Sequence, residues 1–384
     1  MTTLQAPLVS LQAPKEVSID LIEAELREIW QDHRSGTDGL VASRASTFTF
    51  IVYEEPESLQ ADNHPHHDNV AEAIAAVNPC RIINLCPTTE ANVAVTAKVS
   101  AYCPMQKRNQ QSLVCCETIT LQGSTDELER IGGLISALTL SGLPKFVWWK
   151  ASIETESVLF QRLLSLCDNF IIDSSDFKEA APTLNNIGPL FTKKAPIADL
   201  NWQRLSAWQE LTAQGFDPPE RRDAIPEIDR LTVDYEKGNI SQALMYLGWV
   251  ASRLQWRPVS FAQEGGDYDI SRIVFATSDQ RKVEAELAGI PVADVGDVLG
   301  DLISIKMSST NLQADCCTVI CSGTTGCMRM EAGGGAQACR IQQVSALDDQ
   351  NREEVLKKQL QRWGKDDLYI DSMKVVHQIL QLLA

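Results

Sequence analysis

The chain has 384 residues, 44% hydrophobic and 22% charged, the balance of a soluble globular protein with room for two cores. Its formal charge of −17 excludes nucleic acid and anionic membrane surfaces, which need a basic face, and suits a protein partner carrying a basic patch. No apolar run reaches the ~18 residues that span a bilayer. The start, "MTTLQAPLVSLQAPKEV", has neither basic residues before Lys15 nor a long apolar core, so the sequence reads as cytoplasmic rather than secreted. Eleven cysteines, an odd number spread along the chain, fit a reducing compartment in which any disulfide is a regulated one.

"SIDLIEAELREIW" places Ile19, Ile22, Leu26 and Ile29 at helical spacing behind Ser18 as N-cap. "STFTFIVYEE" alternates as a strand, "SLQADNHPHHDN" is a polar loop, "AEAIAAV" a short helix and "CRIINLCP" an apolar strand. "NVAVTAKVSAYC" and "SLVCCETITLQG" are two further strands around a polar turn. "STDELERIGGLISALTLSG" opens with a capping-box pattern, Ser124 to Glu127, and stops at Gly142. "LPKFVWWK" is a buried strand, "ESVLFQRLLSLC" a helix and "NFIID" a buried strand. Strands alternating with helices predict an α/β domain over residues 1–190, with a mixed, partly parallel sheet and helices.

"SSDFKEAAPTLNNIGPLFTKKAP" holds three prolines and little periodicity, and the domain boundary is placed there. Helices follow at "DLNWQRLSAWQELT" and "SQALMYLGWVASRLQW". The period then changes to two through "RPVSFAQ", "ISRIVFAT", "KVEAELAG", "DLISIKMSS", "DCCTVIC", "CMRMEA" and "AQACRIQ", before two closing helices. Residues 191–384 therefore read as an α+β domain with helices on an antiparallel sheet.

The α/β half is Rossmann-like without the dinucleotide fingerprint: no G-x-G-x-x-G follows a strand, and no G-x-x-x-x-G-K-[ST] occurs. "EAGGGAQA" lies between strands, so Gly333 to Gly335 read as a hairpin turn rather than a phosphate cradle. His64 to Asp68, "HPHHD", is a polar loop without the rigid spacing of a metal site. His33 and His377 have no partnered nucleophile, so neither a catalytic set, a metal nor a cofactor is expected. Trp148, Trp149 and Lys150 end a central strand, where open α/β sheets present ligands, and are a candidate partner or ligand surface, although packing or the cover of an internal seam is the favoured reading of paired tryptophans.

"VICSGTTGCMRM" sets Cys321 and Cys327 six positions apart. The spacing is wrong for a zinc knuckle, and the loop has no phosphate-binding lysine. With Ser322 to Gly326 as the loop of a hairpin, the two cysteines stand across from each other, either as ordinary thiols or as a redox pair.

"LIEAELREIW", "NPCRIINLCP", "LPKFVWWK", "SQALMYLGWVASRLQWRP" and the late antiparallel sheet, taken in order, resemble the OpcA family of glucose-6-phosphate dehydrogenase assembly proteins. The cysteine-bearing hairpin is similar to the branch found in oxygenic photosynthetic bacteria. The resemblance implies a non-catalytic protein that binds glucose-6-phosphate dehydrogenase, favours its active oligomer and serves the oxidative pentose phosphate pathway. It also implies thioredoxin as a second partner, acting on Cys321 and Cys327. The alternative is a small-molecule sensor for a nucleotide or sugar phosphate at the "WWK" end of the sheet.

Overall fold

The computed structural model describes residues 8–32, 41–44, 46–57, 79–104, 112–193, 195–293, 298–311, 316–322, 327–333, 341–346, 351–362 and 364–383. The His64–Asp68 cluster and the short helix read at residues 71–77 lie outside them. The chain divides into two compact units, residues 1–172 with 360–364, and 173–359 with 365–384.

The first unit is built on strands β1 (Leu8–Val17), β2 (Val41–Arg44), β3 (Thr49–Tyr53), β4 (Arg81–Thr88), β5 (Thr96–Pro104), β6 (Ser112–Ser124), β7 (Lys145–Trp149) and β8 (Asn169–Ile172). They lie in the order β1-β5-β6-β4-β3-β7-β8, with β2 on β6. The pairs from β6 to β8 are parallel, while β5 and β1 add antiparallel edges. Every residue of β3 is buried, the unbroken apolar run that a parallel strand covered on both faces requires.

The helix Ile22–Asp32 forms after a 3₁₀ turn, yet the Ser18 hydroxyl donates to Asp20 and does not cap the backbone. Ser124 occupies an N-cap position without a side-chain cap, and its buried hydroxyl has no hydrogen-bond partner among the described residues. The single helix expected behind it is two, Thr125–Arg130 and Gly132–Ala137. At the break a Cβ on Gly132 would lie 2.8 Å from the Arg162 guanidinium, the far end of a flexible side chain that would have to shift to admit it.

In the second unit, the stretch read as an aperiodic linker carries a helix, Ala180–Thr192, with Pro189 inside it. Leu184, Ile187, Leu190 and Phe191 give it a buried face whose spacing its prolines hide from a periodicity count. A short strand, β9 (Ile197–Asp199), leads into the helices Leu200–Arg204 and Ser206–Gln214. The sheet of this unit comprises β10 (Arg230–Glu236), β11 (Arg257–Gly265), β12 (Ile270–Ala276), β13 (Lys282–Ile290), β14 (Leu302–Ser308), β15 (Cys316–Ser322), β16 (Cys327–Gly333) and β17 (Ile341–Ala346). Their order is β11-β12-β13-β10-β14-β15-β16-β17.

The expected all-antiparallel sheet needs one correction, because β10 pairs with β13 in parallel. The chain leaves β10 through the helix Ser241–Arg253 and returns by way of β11 and β12, the long connection a parallel pair needs. Leu231, Val233 and Tyr235 alternate as the buried face of β10. The helices Ser241–Arg253 and Asp367–Leu380 pack on each other and on this sheet.

Gly248 makes the helix crossing close: a Cβ there would lie 2.6 Å from the carbonyl oxygen of Ser372. Backbone cannot swing aside as a flexible side chain does, so Gly248→Ala should lower stability by about 1–3 kcal/mol despite the better helix propensity of alanine. A lowered urea midpoint with an unchanged slope is the expected result; an equal or higher midpoint would contradict this packing.

Candidate functional site

The strand β7 delivers Trp148 and Trp149 into the interior of the first unit, at 1% and 5% exposure. Strand alternation sends them to different neighbours. Trp148 stacks on Phe50 with centroids 6.4 Å apart, while Trp149 stacks on Tyr53 at 3.9 Å and meets Phe160 edge-on at 5.2 Å. The indole N–H of Trp149 donates to the Ser152 carbonyl at 3.2 Å. Lys150 is half-buried, ion-paired with Glu54, and its ammonium lies 5.1 Å from the centroid of the Trp148 ring. Both rings are thus occupied by packing, and the end of β7 offers the Lys150–Glu54 pair.

The cysteine hairpin is formed by β15 and β16. Its register pairs Cys321 with Met328 and Ser322 with Cys327. Ser322 belongs to the ladder rather than to the loop, so the pairing lies one residue away from the directly opposed cysteines read in the sequence. A one-residue step in a ladder exchanges the two faces of a strand, so direct opposition of these cysteines needs a change of register.

The second unit also holds a buried charge centre, which no motif in the sequence marks. Asp173, which follows the apolar run "NFII", receives both Arg204 guanidinium nitrogens, Nη1 to Oδ1 at 2.7 Å and Nη2 to Oδ2 at 2.9 Å. Arg352 adds Nε to Oδ2 at 3.2 Å. Burial alone would raise Asp173, but the charge and hydrogen bonds of Arg204 hold its carboxyl below the ordinary range. Asp199, at the N-cap of Leu200–Arg204, accepts from the backbone N–H groups of Ser174 at 3.0 Å and Asn201 at 2.9 Å. Burial first, and the Asp173 charge second, push Asp199 up to about 6. Burial likewise pushes Asp301 up to about 6, although the Gln242 amide donates to it at 2.6 Å.

That Gln242 amide also donates to Asn201 Oδ1 at 2.7 Å, and Asn239 Nδ2 donates to the Ser174 carbonyl at 2.9 Å. The centre therefore ties the turn after β8, the start of the Ser241–Arg253 helix and the start of β14 into one network. Its signal in the sequence was weak: an aspartate closing an apolar strand, and another before "LNWQR" in N-cap position. Among the described residues, no group of three or more His, Cys, Asp or Glu side chains is arranged to hold a metal ion.

Residues 71–188 match the family model described as the glucose-6-phosphate dehydrogenase subunit N-terminal domain, and residues 195–373 match the corresponding C-terminal domain. A protein named OxPP cycle protein OpcA from Synechocystis sp. (strain ATCC 27184 / PCC 6803 / Kazusa) is 52% identical, the match covering 100% of this chain and 95% of that protein. Its namesake from Nostoc punctiforme is 46% identical over 100% of this chain and 97% of its own length. The Actinomadura kijaniata 3-ketoreductase KijD10 is 11% identical, with a TM-score of 0.45 over 87% of this chain and 96% of its own, a likeness too slight to carry an argument.

The charge centre has a signed pH dependence. Asp199 and Asp301 rise from 3.8 to about 6, so the folded unit binds their protons more tightly than the unfolded chain does. The stability they contribute is complete below the unfolded value and is lost as pH rises through about 6. The opposite contribution of Asp173 is lost only at lower pH, below its unfolded value. Melting temperature should therefore fall between pH 5 and pH 7.5, and Asp301→Asn should flatten that slope. Parallel slopes for variant and parent in a thermal melt series would contradict the assignment of Asp301.

Proposed function

The chain belongs to the OpcA family, and on that premise we propose that it is a non-catalytic partner of glucose-6-phosphate dehydrogenase that favours the enzyme's active oligomer under thioredoxin control. The observation that carries the partner role is the match to both dehydrogenase-subunit domains in order, together with relatives aligned from end to end. A non-catalytic role agrees with the charge centre, where every aspartate is already engaged by arginine, amide or backbone N–H.

Activation of this kind is a population shift: the chain raises activity by binding the active oligomer better than the inactive one. Its formal charge of −17 steers it towards a basic patch on the enzyme and speeds encounter at low ionic strength. The redox element of the reading rests on Cys321 and Cys327. In it, a bond between them holds the β15–β16 hairpin in its binding shape, and reduction by thioredoxin releases that shape. Because the ladder register offsets the two positions by one, closing the bond shifts the end of the hairpin, which gives oxidised and reduced forms different surfaces.

The second reading, a sensor of a nucleotide or sugar phosphate at the WWK end of β7, finds both rings taken up by packing there; a different, open cleft of about 580 Å³ in the second unit brings Arg253, Arg257 and Lys374 to Trp256. Two of these cations are already paired with Asp371, which weakens the site for an anion.

Dehydrogenase activity at limiting substrate, measured with this chain in oxidised and thioredoxin-reduced forms, separates the elements of the proposal. Activation by the oxidised form that fades on reduction is expected, and the Cys321→Ser/Cys327→Ser variant should lose that redox response. A response that persists in the variant would contradict the cysteine assignment, and no activation by either form would contradict the partner role.

A further inference from the structure

Cysteines also cluster in the first unit. Cys80, just before β4, and Cys116, in β6, are both buried. Their thiols are hydrogen-bonded to each other, which with burial pushes Cys80 up and leaves Cys116 below its ordinary value. Cys115, one residue earlier and 1% exposed, is disulfide-bonded. Adjacent residues of a strand face opposite ways, so the Cys80–Cys116 thiol pair and the Cys115 bond occupy opposite faces of β6. Cys80, Cys86, Cys116 and Cys167 are free thiols and are thereby excluded as its partner.

The ladder supplies the partner by position. The strand β5 runs antiparallel to β6 with Ala101 paired to Glu117 and Tyr102 to Cys116. That ladder ends at Tyr102–Cys116, and Cys115 itself pairs with Arg44 of β2; continuing the β5–β6 register by one step would set position 103 opposite Cys115. Cys103 still lies within β5, where its other neighbour is Val9 of β1. Directly opposed residues of an antiparallel pair have Cβ atoms ~4.5–5.5 Å apart, within a small adjustment of what a disulfide needs. We propose that Cys103 and Cys115 form a cross-strand disulfide, a thiol–disulfide exchange site of the first unit that is separate from Cys321 and Cys327.

Such a bond pins the ladder where β6 begins. Two residues on, Glu117 accepts from Arg81 Nε at 2.6 Å and from the Trp30 indole at 2.8 Å. The cross-link therefore fixes the register of the strand that holds this buried ion pair. Reduction by a dithiol breaks the S–S bond with transfer of two electrons. One thiolate of the reductant attacks a sulfur, the other sulfur leaves and takes a proton, and the second thiol of the reductant closes its own disulfide. Two thiols remain in β5 and β6. Because Cys115 is buried, the end of the ladder must open before the reductant reaches it, so exchange is slow in the folded chain.

The full chain, purified without reductant, is denatured, blocked with N-ethylmaleimide and digested with trypsin, which cuts between the two positions at Lys107 and Arg108. Mass spectrometry should find the Cys103 and Cys115 peptides linked, with Cys80 and Cys116 alkylated. Alkylation of both Cys103 and Cys115, or a link from Cys115 to another cysteine, would overturn the proposal. Hydrogen exchange tests the consequence: reduction should speed exchange in β5 and at the start of β6 by about tenfold or more. The Cys103→Ser/Cys115→Ser variant should exchange fast in both states and still transmit any redox response of the dehydrogenase that runs through Cys321 and Cys327. Identical exchange before and after reduction of the parent chain would overturn the pinning role.

Discussion

The buried pairing of Asp173 with Arg204 is the constraint around which the second unit is arranged. A carboxylate withdrawn from water is tolerated only when a matched cation and further donors replace its hydration. Arg204 does so with both guanidinium nitrogens, and Arg352 reaches the same carboxylate from the helix Arg352–Leu360. Removing one partner of such a pair costs on the order of 3–5 kcal/mol, because the other charge stays buried and uncompensated. Local order follows from this pair. The Ser174 carbonyl accepts from Asn239 and from the Ser241 hydroxyl, so the helix that opens at Ser241 starts from a fixed point. That helix lies on β10, a central strand of the sheet that also holds the cysteine hairpin.

The first unit has a comparable anchor in Arg81, which reaches Glu117 at 2.6 Å and the Leu138 carbonyl at 2.6 Å while itself only 2% exposed. Glu117 also binds the Trp30 indole, so one carboxylate on β6 fastens β4 and the helix Ile22–Asp32. Arg81 opens the otherwise apolar β4, and Asp173 follows the apolar β8; each charge organises the elements around it.

Most elements were legible in the sequence because their period is the record of a buried face. The runs at "TFIVY", "RIINLC" and "FVWW" are buried strands, and "SQALMYLGWVASR" is the helix its spacing implies. Strand parity also assigned Trp148 and Trp149 to different sets of aromatic neighbours. What stayed hidden depends on long-range partners. Nothing local says that "RLTVDYE" inserts beside β13 in parallel, because that order is fixed by the crossover and by sheet packing. Nothing local announces that Asp173 meets Arg204 and Arg352, which are 31 and 179 residues away. The register of β15 on β16 differs by one from the directly opposed cysteines, because Ser322 extends the ladder instead of opening the loop.

The buried carboxylates of the second unit serve its architecture, and the formal charge of −17 suits the basic partner surface proposed above. The central claim is that the chain favours the active oligomer of glucose-6-phosphate dehydrogenase. Sedimentation of the purified enzyme with and without an equimolar amount of this chain tests it most directly. The account predicts that both proteins move together in a faster boundary, with the enzyme shifted towards its larger, active form. Separate boundaries, with the enzyme's distribution unchanged, would contradict it.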